Sequence, residues 1–178
     1  MSLTGAVLLP LALDVPNAAR ALEIAEAVHP QSDIAEIDTP LVIEEGLKPL
    51  ETLKRRFPDK QFLADLKIMD AVFLEAGNGF SRGADNVTVL AAADDRTVAQ
   101  ALEAASRHGG RIMVDLINQA DPVARARRLQ DLGVQMICTH MAYDRQGAGI
   151  DPLRALKGSG PRCADAWSAQ RRRAWKAP

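Results

Sequence analysis

The sequence predicts an α/β domain built from repeated βα units around a parallel sheet, and three observations lead there. Short apolar runs alternate with helical periodicity along the 178 residues; the loops between them are short; and alanine supplies 30 residues while aromatics make up only 4%. Strands that alternate with helices read as crossover units of a parallel sheet. Small side chains let helices lie close on such a sheet, and the scarcity of aromatics argues against an all-β sandwich.

Each element follows from its own stretch. Apolar runs at 7–13, 34–37, 61–66, 86–90, 111–116 and 135–139 are the expected strands. Helical periodicity falls at 18–28, 46–56, 71–81, 96–107 and 121–132. Pro16-Asn17 and Asp121-Pro122 are helix starts, because a side-chain oxygen caps free backbone N–H groups and proline suits the first turn. His108-Gly109-Gly110 and Leu132-Gly133 are stops. Six βα units result, whereas a closed (β/α) barrel needs eight.

Residues 1–157 therefore read as an incomplete barrel domain, and 158–178 stand apart. This last stretch carries five Lys/Arg against Asp165, both tryptophans (Trp167 and Trp175), and neither an apolar strand nor a useful helical period. It is expected to be an atypical, disordered basic tail, and its abrupt change of composition suggests a product that has left its reading frame.

Composition limits the function classes. With 22 basic and 23 acidic residues the formal net charge is −1, which excludes a nucleic-acid surface or a polybasic membrane anchor. The run from Ala6 to Leu13 is too short to span a membrane and wrongly flanked for a signal peptide. Cys138 and Cys163 make no disulfide scaffold, so a cytoplasmic protein is expected.

The polar residues carry the functional reading. Asp14 ends the first strand, Glu36 and Asp38 the second, Asp65 and Lys67 the third, Asp115 the fifth and His140 the sixth. In parallel βα folds the C-terminal strand ends share one face, and active sites sit there. Any one of these residues suits a loop or helix cap; five strand ends with the same habit describe a polar, mainly acidic pocket. Its one imidazole, His140, is the kind of side chain that moves protons as a general base. Asp65-Leu66-Lys67-Ile68-Met69-Asp70 places two side chains two residues apart, which on a strand face the same way, so Asp65 and Lys67 are both expected in the barrel mouth. A carboxylate beside an ammonium keeps the lysine charged for oxyanion stabilisation. Glu36 and Asp65 together suit a hard cation such as Mg²⁺.

The strings Leu11-Ala12-Leu13-Asp14, Glu36-Ile37-Asp38-Thr39-Pro40, Asp65-Leu66-Lys67-Ile68-Met69-Asp70-Ala71, Val87-Thr88-Val89-Leu90, Val114-Asp115-Leu116-Ile117 and His140-Met141-Ala142-Tyr143 resemble the 3-hexulose-6-phosphate synthase family, within the orotidine 5′-phosphate decarboxylase superfamily. The resemblance implies a (β/α)8 TIM barrel acting as a homodimer with sites at the subunit interface. It implies an aldehyde-lyase that adds formaldehyde to D-ribulose 5-phosphate with Mg²⁺, giving D-arabino-hex-3-ulose 6-phosphate, the formaldehyde-fixing step of the ribulose monophosphate pathway. By the same resemblance Glu36 and Asp65 hold the metal, and Lys67, His140 and Asp70 are catalytic, Asp70 from the partner subunit. Asp14, Asp115 and Thr88 bind substrate. A 3-keto-L-gulonate-6-phosphate decarboxylase is the alternative; its pattern fits less well, with Leu66 after Asp65 where an alanine is expected and Tyr143 standing where an arginine is expected.

Three positions depart from the family. Asp38 stands where a glycine is usual, Pro10 lies inside the first strand, and no seventh and eighth unit with phosphate-binding glycines precedes the tail. An inactive product lacking those loops is the third reading.

Overall fold

The computed structural model describes residues 9–145 and 166–169. Its strands are β1 (Pro10–Leu13), β2 (Ile34–Ile37), β3 (Gln61–Ile68), β4 (Asn86–Leu90), β5 (Arg111–Asp115), β6 (Met136–His140) and β7 (Ala166–Ala169). They form one sheet in chain order, every neighbouring pair parallel. Helices α1 (Ala18–Val28), α2 (Thr39–Glu45), α3 (Lys48–Arg56), α4 (Val72–Ser81), α5 (Asp95–His108) and α6 (Pro122–Asp131) carry the chain back between strands. Parallel neighbours require such crossovers. This is the alternation of a TIM-barrel-type fold with six βα units, as the sequence predicts.

The expected punctuation marks the helix ends. Asn17 accepts a hydrogen bond from Arg20 N at 2.9 Å to start α1, and Asp121 accepts one from Ala124 N at 2.9 Å to start α6. Gly109 ends α5 at a φ of 68°, a left-handed conformation that glycine adopts without strain. Pro10 fits because it is the first residue of β1, which pairs only with β2 among the described residues. Pairing begins beside it: Leu9 N donates to Asp33 Oδ2 at 2.6 Å and Asp33 N donates to Leu9 O at 2.8 Å.

Two elements differ from the sequence reading. Helix α2 fills a stretch read as a connection, since Asp38 caps it through Thr39 N and Pro40 occupies its first turn. Gly46, at a φ of 64°, ends it and delays α3 to Lys48. The second correction falls in 158–178, where no strand is expected. Ala166–Ala169 lie parallel to β6, with Ile137 opposite Ala166 and His140 opposite Ala169. The open edge of β6 offers backbone donors and acceptors to any extended segment, and backbone pairing needs no apolar run. The remaining residues of 158–178, Cys163 and Trp175 among them, lie outside the described residues.

Side-chain alternation divides the interior in two. Leu13, Ile37, Phe62, Val87, Val114 and Ile137 belong to a large core with helix residues such as Ala21, Leu50, Ala76, Ala101 and Leu129. Close approach of helix to sheet is visible at Gly79 on α4, where a Cβ would stand 2.8 Å from Val87 Cγ1. A smaller cluster, Ile34, Leu63, Met113, Met136 and Cys138, lies on the other side of the strands. Two residues further along β2, β3, β5 and β6 come Glu36, Asp65, Asp115 and His140. The period of two puts these on the face of the small cluster, nearer the C-terminal strand ends.

Candidate active site

Asp65 is the centre of the site and is almost wholly buried. Its Oδ2 accepts hydrogen bonds from Lys67 Nζ at 2.6 Å and Thr39 Oγ1 at 2.8 Å, and its Oδ1 accepts one from Thr88 Oγ1 at 2.7 Å. Burial opposes ionisation, but the Lys67 ammonium and these hydrogen bonds outweigh it and hold the carboxyl below its usual range. Burial likewise works against a charged Lys67. Asp65 first, then Asp115 and Asp38, overcome it and push the ammonium above its usual value. Lys67 is therefore a fixed positive charge at neutral pH.

The two side chains meet by a different route from simple strand alternation. Ala64 pairs with Val87 and Ile68 with Val89, so four steps on β3 oppose two on β4. The extra residues form a bulge, and Lys67 sits there at a φ of 48°. A non-glycine residue in the left-handed region is strained, and such strain gathers at functional sites. Thr88 secures the bulge: its hydroxyl donates to Asp65 while accepting from Lys67 N at 2.8 Å.

On the adjoining strands, His140 Nδ1 lies 2.8 Å from Asp115 Oδ2. A carboxylate can only accept there, so Nδ1 carries the proton and the lone pair of the neutral ring is on Nε2. The other oxygen, Asp115 Oδ1, accepts from Ile117 N at 2.9 Å, which locks the carboxylate in place. Asp115 Oδ2 is also 3.5 Å from Lys67 Nζ. Imidazole and ammonium thus flank one oxygen. The remaining histidines take no part: His29 packs beside Phe57 and His108 stacks on Phe80.

Glu36, Asp38 and Asp65 each offer a carboxylate oxygen, all within 4.8 Å of one another. Three hard oxygen donors of this kind suit Mg²⁺ or another hard divalent cation. Asp38, read from sequence as an extra charge beside Glu36, is buried within this group and caps α2 at the same time. Thr39, which the sequence reading passed over, joins the site as a donor to Asp65; the sequence signal was its place directly after the acidic strand end. Asp14 stands half-buried after β1. Asp70 is apart from the cluster, exposed in the turn between β3 and α4.

A parallel βα sheet with a fixed ammonium, an oriented imidazole and carboxylates at its C-terminal strand ends has these groups on the face where (β/α)-barrel enzymes carry their active sites. The chain is a member of the orotidine 5′-phosphate decarboxylase / HUMPS family, whose model matches residues 8–164. It is 45% identical over 148 residues to 3-hexulose-6-phosphate synthase of Bacillus subtilis (strain 168), covering 83% of this chain and 70% of that protein. A crystal structure of 3-hexulose-6-phosphate synthase superposes with a TM-score of 0.82 at 39% identity, covering 86% of this chain and 76% of that one. A crystal structure of KGPDC from Streptococcus mutans superposes with a TM-score of 0.74 at 29% identity, covering 84% and 69%. By this resemblance the chain is an enzyme of the synthase type. No described helix is long and apolar enough to cross a membrane.

Proposed function

We propose that the chain catalyses the reversible aldol addition of formaldehyde to D-ribulose 5-phosphate. The observation that carries this reading is Asp115 Oδ2, 2.8 Å from His140 Nδ1 and 3.5 Å from Lys67 Nζ. It joins a proton carrier and a fixed positive charge in one small space, which is what enediolate chemistry needs.

His140 Nε2 takes a proton from C1 of the ketose phosphate, and Asp115 steadies the imidazolium that forms. Negative charge grows on the C2 oxygen, where the Lys67 ammonium stabilises it. C1 then bonds to the formaldehyde carbon as the carbonyl π bond breaks, and the new alkoxide takes back a proton from the site. Glu36 and Asp65 would hold Mg²⁺, which would supply Lewis-acid stabilisation of the developing negative charge. Asp14 binds substrate hydroxyls.

The enzyme works as a homodimer in this reading. Ile43 on α2 and Met69, Phe73 and Leu74 around the start of α4 are exposed large apolar side chains, and Asp70 lies among the last three in sequence. A second copy seated on them brings Asp70 to the neighbouring site and removes the apolar surface from water.

The test is formaldehyde-dependent consumption of ribulose 5-phosphate by the purified chain, with Mg²⁺ and with chelator. Metal-dependent turnover that is lost in Lys67→Ala and His140→Ala is the expected result. The decarboxylase reading, supported by the likeness to KGPDC from Streptococcus mutans, calls instead for CO₂ release from 3-keto-L-gulonate 6-phosphate with no formaldehyde-dependent turnover.

A further inference from the structure

We propose that Asp38 is a third carboxylate ligand of the divalent cation, so that this chain holds the ion in the absence of substrate. The inference rests on the reading of Glu36 and Asp65 as its ligands. Asp38 is 1% exposed and follows Glu36 by two residues at the end of β2. Its Oδ1 accepts from Thr39 N at 2.9 Å, which fixes how the carboxylate is turned. In that orientation it offers an oxygen within 4.8 Å of oxygens from both Glu36 and Asp65.

Capping alone does not account for an aspartate here. Serine or asparagine caps a helix equally well without burying a charge. Buried carboxylates are costly unless an opposite charge compensates them. Glu36, Asp38, Asp65 and Asp115 are all buried, and the Lys67 ammonium acts on three of them. A divalent cation among Glu36, Asp38 and Asp65 brings opposite charge to all three carboxylates at once. Magnesium bound through one or two carboxylates relies on substrate oxygens to complete its shell; a third carboxylate lets the protein bind the ion first.

Mn²⁺, which takes the same oxygen donors, is the probe. Its free electron paramagnetic resonance signal is followed as it is titrated into the purified full chain without substrate. Asp38→Asn and Asp38→Ser both keep a capping oxygen and remove the charge. The dissociation constant is expected to rise at least about tenfold in both, and saturable binding is expected to vanish in Glu36→Gln and Asp65→Asn. Thermal unfolding gives a second readout: Mn²⁺ should raise the wild-type midpoint more than that of either Asp38 variant, and the metal-free Asp38→Asn chain should melt above wild type because like charges no longer repel. Wild-type affinity in both Asp38 variants alongside weakened Glu36→Gln would leave the cation site standing and remove Asp38 from it. Unchanged binding in Glu36→Gln and Asp65→Asn, or no binding by wild type, overturns the cation reading itself.

Discussion

Asp65 and Lys67 stabilise each other's charged forms, and the pH range over which they do so follows from the direction of each shift. Asp65 ionises below its usual 3.8 in the folded chain, so its contribution is present above that value and is lost as pH falls through the lowered one. Lys67 titrates above its usual 10.5, so its contribution is present below that value and is lost as pH rises through the raised one. Between these limits the pair adds no pH dependence. Lys67→Met leaves the buried carboxylates without their ammonium. We expect it to cost about 3 kcal/mol at pH 8. Burial then dominates at Asp65, the folded chain holds its proton more readily than the unfolded one, and stability should rise as pH falls from 8 to 5; urea unfolding at the two pH values measures this. A second residue-scale expectation concerns Asp115. Asp115→Asn keeps the shape but lets an amide donate to His140 Nδ1, which moves the ring proton to Nε2. Loss of roughly 10²–10⁴ in kcat with a much smaller change in KM is expected, and steady-state kinetics would show it.

Among the elements, β3 and β4 do most to build the site. The period of two correctly places Asp65, Asp115 and His140 on a common face, because β5 and β6 pair in regular parallel register and β3 keeps its alternation up to the bulge. It fails for Lys67, which reaches Asp65 through a bulge and a left-handed backbone that no local sequence pattern announces. Helix α2 is similarly hidden: seven residues are too few for a helical period, and the segment is ordered by its Asp38 cap together with the packing of Leu41 into the core. Strand β4 carries an uncompensated group below the site. Asn86, opposite Leu63 on β3 and Arg111 on β5, is completely buried, and neither its amide nitrogen nor its amide oxygen has a hydrogen-bond partner among the described residues. A buried unsatisfied amide costs about 1–3 kcal/mol. Asn86→Val is expected to raise the midpoint of urea unfolding, with an unchanged slope, by an amount in that range.

At the scale of the whole molecule, the sheet leaves β1 and β7 each with a single described neighbour; of the exposed large apolar residues, Leu9 precedes β1, while Ile43 on α2, Met69 before α4, and Phe73 and Leu74 on α4 lie away from those edges. Ile43 and Leu74, 75% and 67% exposed in one chain, are the side chains that the proposed second copy would bury. Leu74→Glu places a charge in that surface without touching the core. Sedimentation is expected to show a dimer for wild type and a dissociation constant at least about tenfold higher for the variant, with the far-ultraviolet spectrum unchanged. Equal association of the two would move the interface elsewhere.

The chain by itself determines the order of β1 to β6 and of the helices other than α2, the strand ends that carry Asp65, Asp115 and His140, and the residues by which it resembles its family. All of these follow from local periodicity, caps and composition, which act over a few residues. Tertiary structure alone decides that Asp38 stands with Glu36 and Asp65, that Thr88 holds the β3 bulge, and that Asp115 lies between Lys67 and His140. The contacts of Thr88 and His140 join residues 21 to 25 positions apart. They exist because buried charges must find partners wherever the packed strands bring them together.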